Sequence, residues 1–502
     1  MREGSVIYYL WAACYVFVQI ALALYGLHRY AILCLFLKHR NNKPKPVGKF
    51  QVLPKVTVQL PIFNELYVVE RLIKAVSELD YPREKLEIQV LDDSTDETSA
   101  IAGAQVAKLC AQGFNAKFIH RDNRVGFKAG ALEEGLKVAE GEFIYILDAD
   151  FVTPPGILRQ TLDHFTDPKV GMVQTRWGHL NKDYSLLTRV QSMFIDAHFV
   201  LEQVARSRSG RFFNFNGTGG IWRRSAIENS GGWQHDTLTE DLDLSYRAQL
   251  NGWKFVYIDD VVTPAELPVD MNGFKSQQHR WAKGSVQTFV KLLPALWRSR
   301  LPFLVKLEGT AHLSSYFICL FLALFCVLLF PTLGYAHHGL VEILCFDAPV
   351  FVVSSLPALT FYLFAQQRLY PRTWLKELLM MPVLIAVGAG VSLNNARAVL
   401  EALLNHQSGF TRTPKYGIEK NKLVLRKTHY APLKSLLIVA EMSFAVYFAW
   451  LVIYAFNRGE YGAIPFLVLF QTGFLYVAVC SVASSLPRIS FTSREPEDAL
   501  PA

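Results

Sequence analysis

The chain has 502 residues, 51% hydrophobic and only 19% charged, a balance more apolar than an ordinary soluble enzyme carries. Its formal charge of +8 suits a phosphorylated ligand, an anionic membrane surface or nucleic acid. The basic residues cluster beside apolar runs, however (Lys38, His39, Arg40, Lys43, Lys45 and Lys49; later Arg397, Arg412, Lys415, Lys420, Lys422, Arg426 and Lys427), as cytosolic flanks of membrane spans do, and this sets nucleic acid aside.

Cysteine use agrees: of seven cysteines only Cys110 lies outside the apolar stretches, and no Cys-x-x-Cys occurs, so neither a disulfide scaffold nor a zinc site is indicated. Residues 1–37 read as an N-terminal transmembrane helix. A bilayer core needs about 20 apolar residues, and the run from Val6 to Gly26 supplies them without a charge before continuing through Ala31 to Leu37, too long for a cleaved signal peptide.

Residues 50–300 read as a soluble domain. Val56 to Leu60 is a strand, an amphipathic helix follows through Ala75 and Leu79, and Leu86 to Leu91 is a second strand. Ala100 to Cys110 is helical, Ala116 to His120 a strand, Ala129 to Ala139 helical, and Phe143 to Leu147 a buried strand running into Asp148. This alternation predicts an α/β domain with a parallel, doubly wound sheet, whose ligands bind at the carboxyl ends of the strands.

Each apolar strand ends in polar chemistry: Pro61 to Glu65, including Asn64, after the first, Asp92 to Ser94 after the second, and Asp148-Ala-Asp150 after the fourth. One aspartate after a strand is ordinarily a turn or a cap; three such sites in register argue for one site. Two carboxylates flanking a small residue can hold Mg2+ or Mn2+ through hard oxygens. Lys128 admits two readings, a cation beside a bound diphosphate or a solvated helix start. The Gly-rich run Asn216-Gly217-Thr218 reads by itself as a loop.

Farther on stand Thr239-Glu240-Asp241 and Gln277-Gln-His-Arg280-Trp281. Trp281 also admits two readings, sugar stacking or an interfacial anchor, since Phe289, Leu292, Leu293, Leu296 and Trp297 continue an apolar face. Residues 309–486 form the second membrane part, with spans expected at Ala311–Pro331, Ile343–Phe364, Leu433–Phe456 and Ile464–Leu486. The apolar run Leu378–Val391 is short and Gly-rich, and the charge bias on both sides reads residues 377–405 as re-entrant or interfacial. Asp347 is expected at a span end. With about five crossings, the soluble domain and the polar tail 487–502 would be cytosolic and the N-terminus outside.

Asp93, Asp148-x-Asp150, Glu240-Asp241 and Gln277-x-x-Arg280-Trp281, in this order and at these spacings, resemble the inverting family-2 glycosyltransferases of the cellulose synthase superfamily. Arg176-Trp-Gly-His-Leu-Asn181, Phe213-Asn-Phe-Asn-Gly-Thr-Gly219 and Gly231-Gly-Trp233 are most similar to its cellulose-synthase-like A group, the mannan and glucomannan synthases, and to bacterial relatives. The segment Phe410-Thr-Arg-Thr413-Pro-Lys415, within residues 405–428, resembles the gating loop of processive synthases, with Arg412 where valine is usual.

The resemblance implies a GT-A domain inserted into a multi-pass transmembrane region, and it implies roles. Pro61, Asn64, Glu65, Asp93, Lys128 and Asp148 would bind the donor nucleotide, and Asp148 and Asp150 the metal. Asp241, beside Glu240, would act as general base. Gln277, Arg280 and Trp281, with Asn216, Gly217 and Thr218, would hold acceptor and diphosphate. The implied partners are GDP-mannose or UDP-glucose, a nascent glycan and the bilayer, with an accessory subunit or a second copy open. The implied product is a β-linked mannan, glucomannan or glucan; the alternative is single addition to a polyprenyl phosphate or ceramide-like lipid, and a non-enzymatic carrier is disfavoured by the complete carboxylate set. Either a bacterial inner membrane or a Golgi membrane would put the domain in the cytosol.

Overall fold

The computed structural model describes residues 6–335, 348–406, 412–419 and 436–485. Phe410, Asp347, Lys420, Lys422, Arg426, Lys427 and the tail 487–502 lie outside the described residues.

Helix α1 (Val6–His39) has 34 residues, about 50 Å at the α-helical rise, more than a bilayer core requires. Its N-terminal and middle turns expose Val16, Phe17, Ile20 and Leu24, whereas Ile32, Leu33 and Phe36 near the other end are buried in one cluster with Ile144 and Trp222 of the α/β domain. The first helix is therefore built into the core of that domain.

The domain follows in the order β1 (Val56–Ile62), α2 (Val69–Ser77), β2 (Leu86–Asp92), α3 (Thr98–Ala111), β3 (Asn115–His120), α4 (Phe127–Lys137) and β4 (Phe143–Ile146). Next come α5 (Ile157–Thr161), β5 (Val170–His179), α6 (Leu186–Ala197), α7 (Val204–Arg208), β6 (Gly220–Arg223), α8 (Arg224–Asn229), α9 (Glu240–Leu250) and β7 (Lys254–Ala265). The seven strands lie in the order β3-β2-β1-β4-β6-β5-β7. Strands β3, β2, β1 and β4 are parallel, as expected, and Val56, Val58, Leu60, Ile88, Val90, Phe143 and Tyr145 pack one face.

Strand β6 departs from the expectation by running antiparallel to both β4 and β5. Between β5 and β6 the chain leaves through α6, a π-helical turn (His198–Gln203) and α7. It comes back along the ligand edge through Asn216–Gly219, so β6 starts where its neighbours end. Strand β5 pairs with β6 only over Met172–Gln174 and then continues beside β7 to His179 opposite Ala265, past a register shift at Thr175/Arg176. That two-stranded overhang walls the far side of the edge.

Helix α10 (Met271–Arg298) starts where the Asp270 carboxylate accepts from Gly273 N at 2.7 Å, an N-cap. Near its end and on α11 (Phe303–Leu313), Val290, Trp297, Phe303, Leu304 and Leu307 are exposed. The span expected at Ala311–Pro331 is a bent pair, α11 and α12 (Phe317–Tyr335), with 57° between them. Helices α13 (Ala348–Leu369), α15 (Leu437–Arg458) and α16 (Ile464–Ser485) stand near the expected positions.

Residues 377–405, expected to be re-entrant or interfacial, contain the continuous helix α14 (Met381–Leu403), within a stretch Trp374–Leu403 that by length and composition could cross a membrane. Its polar residues made the run look short. Ser392 Oγ donates to Ala389 O, and Asn394 Nδ2 donates to Lys275 O of α10 at 2.9 Å. These groups are satisfied inside protein and need no water. Among the described residues four helices could cross a membrane by length and composition, five if the bent pair is one span, consistent with a multi-pass membrane region.

Candidate active site

The strand order brings the predicted residues together. A cavity of about 180 Å³ at the carboxyl edge is lined by Pro61 and Glu65 after β1, Asp93 after β2, Lys128 on α4, and Asp148 and Asp150 after β4. Asn216 and Gly217 from the turn before β6, Glu240 and Asp241 opening α9, Gln277, Arg280 and Trp281 on α10, and Thr413 and Lys415 complete it. Two predicted residues stand apart. Asn64 faces a neighbouring cavity with its amide oxygen accepting from Thr95 N at 2.8 Å, because its left-handed φ of 55° turns the chain. Thr218 is buried behind the wall, its hydroxyl accepting from Asp148 N at 2.9 Å.

Lys128 is not a solvated helix start. Its Nζ lies 2.5 Å from Asp148 Oδ1, 2.8 Å from Gly217 O and 4.0 Å from Glu240. Burial works against its charge, but Asp148, Glu240 and Asp241 outweigh that and hold its pKa above the ordinary value. Burial has the opposite sign for a carboxyl: with Glu240 alongside, it pushes Asp241 up to about 7, against the pull of Lys128. Arg280 is lowered by burial, while Glu240, Asp148, Asp241 and Asp150 favour its charge.

Gly217 fixes how close the turn comes to Asp241. Its φ is +81°, and a Cβ there would stand 3.0 Å from Asp241 Oδ2 and 3.4 Å from Lys128 Nζ. Gly217→Ala therefore combines left-handed strain of roughly 1–2 kcal/mol with displacement of the carboxylate. The expected result is a fall in kcat of about 10-fold or more, read in a transfer assay, with a smaller change in donor affinity.

Segment 412–419 lies along the cavity, held by the carboxylates of Glu65, Asp150, Glu266 and Asp270. Arg412 donates to Glu65 Oε1 and Oε2 at 2.9 and 2.6 Å, and Lys415 pairs with Asp150. Glu266 accepts from Tyr416 N and Gly417 N, both at 2.9 Å. Burial raises the Glu65 pKa although Arg412 and Lys415 oppose it.

Sequence reasoning missed Arg121, whose Nε and Nη2 grip Asp93 at 2.7 and 2.5 Å; placing β3 next to β2 would have found it, since Arg121 follows β3 directly. It also missed Glu266, an acid after β7, and Arg124, whose guanidinium lies 3.3 Å from the Phe63 ring centroid.

Among the described residues no group of three or more His, Cys, Asp or Glu is placed to hold a metal ion. Asp148 and Asp150 nevertheless fit a cation of the Mg2+ or Mn2+ kind, which takes one or two carboxylates and completes its shell with waters and substrate phosphates. Each already attracts a cationic group, Lys128 or Lys415.

Residues 54–284 match the family model described as "Glycosyltransferase like family 2", and residues 223–361 the one described as "Cellulose synthase". Glucomannan 4-beta-mannosyltransferase 2 of Arabidopsis thaliana is 44% identical over 252 residues, 49% of this chain and 47% of that protein. Glucomannan 4-beta-mannosyltransferase 1 of Oryza sativa subsp. japonica is 43% identical over 252 residues, 49% of this chain and 48% of that protein. The chain spans about half the length of the curated relatives it matches. Among solved structures, the mannosyltransferase PcManGT from Pyrobaculum calidifontis, in complex with GDP-Man and Mn2+, superposes with a TM-score of 0.53 at 22% identity, covering 78% of this chain and 99% of that one. That likeness shows the GT-A fold. By these matches, residues 54–284 are similar to the family-2 glycosyltransferases and residues 223–361 to the cellulose synthases.

Proposed function

We propose that the chain transfers a hexose from a nucleoside diphosphate sugar to a growing β-linked glycan at the membrane surface. The observation that carries this reading is the ring of Asp148, Lys128, Gly217 and Asp241 at the carboxyl edge of the sheet, with Arg280 facing its carboxylates. Asp93, Pro61 and Glu65 would hold the nucleoside end, with Arg121 keeping the Asp93 carboxylate in place. A divalent cation held by Asp148 and Asp150 would offset charge on the departing diphosphate. Lys128 and Arg280 would add fixed positive charge there.

Asp241 would take the proton of the acceptor hydroxyl as it attacks the anomeric carbon from the side opposite the nucleotide, giving inversion. Its raised pKa suits that work, because a base poised near neutrality accepts a proton more readily than an ordinary aspartate. Trp281, at the cavity, offers a flat apolar face to a sugar ring, and Gln277 a hydrogen-bonding amide. The exposed apolar stripe of α10 and α11 supports an orientation in which these helices lie on the bilayer, so that residues 50–300 form a cytosolic domain, 1–37 and 309–486 the membrane part, and 405–428 a gating segment.

The names of the relatives favour mannose as the transferred sugar. The test is to incubate the purified protein in nanodiscs with radiolabelled GDP-mannose or UDP-glucose, with and without a chelator, and to digest the product with linkage-specific glycanases. Long mannanase-sensitive chains from GDP-mannose, lost on chelation, are expected. Label confined to a lipid extract would replace the polymer with a single-addition reaction, and no transfer from either donor would sink the proposal.

A further inference from the structure

One wall of the cavity is made by the β5 overhang and α6, which bring Trp177, Gly178, His179 and Ile195 to it, with α13 packed behind α6. His179, the last residue of β5, lines the cavity with its side chain only 6% exposed. Its Nε2 lies 2.9 Å from Asp196 Oδ1 on α6, and Asp196 Oδ2 accepts from Gln366 Nε2 on α13 at 3.3 Å. Asp196 and Gln366 are buried, and Gln366 Oε1 has no hydrogen-bond partner among the described residues. The Nδ1 of His179 likewise has no protein partner among the described residues.

A carboxylate at one ring nitrogen fixes the imidazole's tautomer and aim. With Nε2–H given to Asp196, Nδ1 of the neutral ring is the nitrogen left to accept from a ligand in the cavity that His179 lines. The same cavity is lined by the apolar Trp177, Ile195, Leu267 and Pro268, and by the polar Asn216 and Gln277. That composition suits a sugar, which offers apolar ring faces and hydroxyl protons, and it does not suit a diphosphate, which needs cations.

Position selects which sugar. Along the edge, Asp93 follows β2, Asp148 follows β4, and β5 lies beyond β6, two strands or roughly 10 Å past β4 on the side away from Asp93. Helix α6, which carries Asp196, packs against α13, which carries Gln366. We propose that His179 accepts a hydrogen bond from a hydroxyl of the glycan acceptor, and that Asp196 and Gln366 are positioning residues that hold the imidazole for it. This rests on the glycosyl-transfer reading above and assigns that reading an acceptor contact on the β5 side of the cavity.

The test uses the whole protein in nanodiscs, with whichever donor the wild type transfers held at saturation and β-1,4-linked mannotetraose or cellotetraose varied as soluble acceptor. His179→Ala should raise the acceptor KM about 10-fold and leave donor affinity, measured calorimetrically without acceptor, within about twofold. His179→Gln, which keeps a hydrogen-bonding group of similar reach, should recover part of the loss and carries the test if the alanine variant does not fold. Asp196→Asn should raise the acceptor KM too, with donor affinity kept, because the imidazole loses the carboxylate that aims it. An unchanged acceptor KM in the His179 variants, or a loss of donor affinity instead, overturns the proposal while transfer by the wild type stands. A wild type inert with both donors overturns both readings.

Discussion

Asp241→Asn should lower the rate of sugar transfer by about 10²–10⁴-fold, the range a general base contributes, with donor affinity held or slightly improved. The substitution keeps the shape of the side chain and its place in the first turn of α9, but an amide takes no proton at neutral pH. Donor affinity should survive because removing one negative charge from the company of Asp148, Glu240 and Lys128 does not weaken the hold on an anionic diphosphate. A variant retaining more than about a tenth of wild-type kcat under saturating donor would remove Asp241 from the base role.

The same carboxyl sets a pH dependence whose sign can be worked out. Burial and Glu240 push Asp241 up from 3.8 to about 7, so it is neutral, and unable to accept a proton, at acid pH. The wild-type rate should rise through about pH 7 and level above it. In stability the effect runs the other way: a carboxyl raised in the folded state destabilises the fold progressively between its unfolded value and about 7, and by a constant amount above that. Asp241→Asn should therefore melt above wild type at pH 8, with the difference shrinking toward pH 4, as scanning fluorimetry across that range would read. A variant that loses activity and also loses stability at pH 8 would point to a structural fault.

The parallel half of the sheet and the site at its edge were legible because they rest on local patterns. Val56 to Leu60, Leu86 to Leu91 and Phe143 to Leu147 are apolar runs ended by acids, and a parallel sheet necessarily lines such ends up. What could not be read depends on non-local pairing. The reversal of β6 follows from the path of α6 and α7, and nothing in Gly220 to Arg223 encodes direction. Asn64 has the composition of a site residue, but its left-handed backbone turns the amide toward Thr95. Helix α14 runs past the apolar stretch read from the sequence for the same kind of reason, since Ser392 and Asn394 read as polar until protein is found around them.

Arg412 differs in kind. The substitution for valine was visible as a departure in the gating-loop pattern, and its partner Glu65 was visible as a strand-end acid. Only the fold puts the two guanidinium contacts of 2.9 and 2.6 Å between them. A sequence offers the charges, and three-dimensional pairing decides which of them neutralise each other.

Arg280→Ala should lower kcat by about 10²–10³-fold, the usual loss when one preorganised donor to a developing charge is removed. Four carboxylates, Glu240, Asp148, Asp241 and Asp150, act on this guanidinium, so its loss leaves the cavity more negative as well as poorer in donors. Two consequences separate this from loss of a mere helix anchor. Removing a nearby cation raises the pKa of a carboxyl, so the rising limb of the pH–rate profile should move to higher pH than in wild type. Arg280→Lys should restore the position of that limb but only part of kcat, because an ammonium supplies the charge without the planar fork that fits two phosphate oxygens at once. If Arg280→Ala merely lowered the melting temperature and left kcat and the limb in place, Arg280 would be an anchor of α10 and the diphosphate would have to be held by Lys128 and the cation alone.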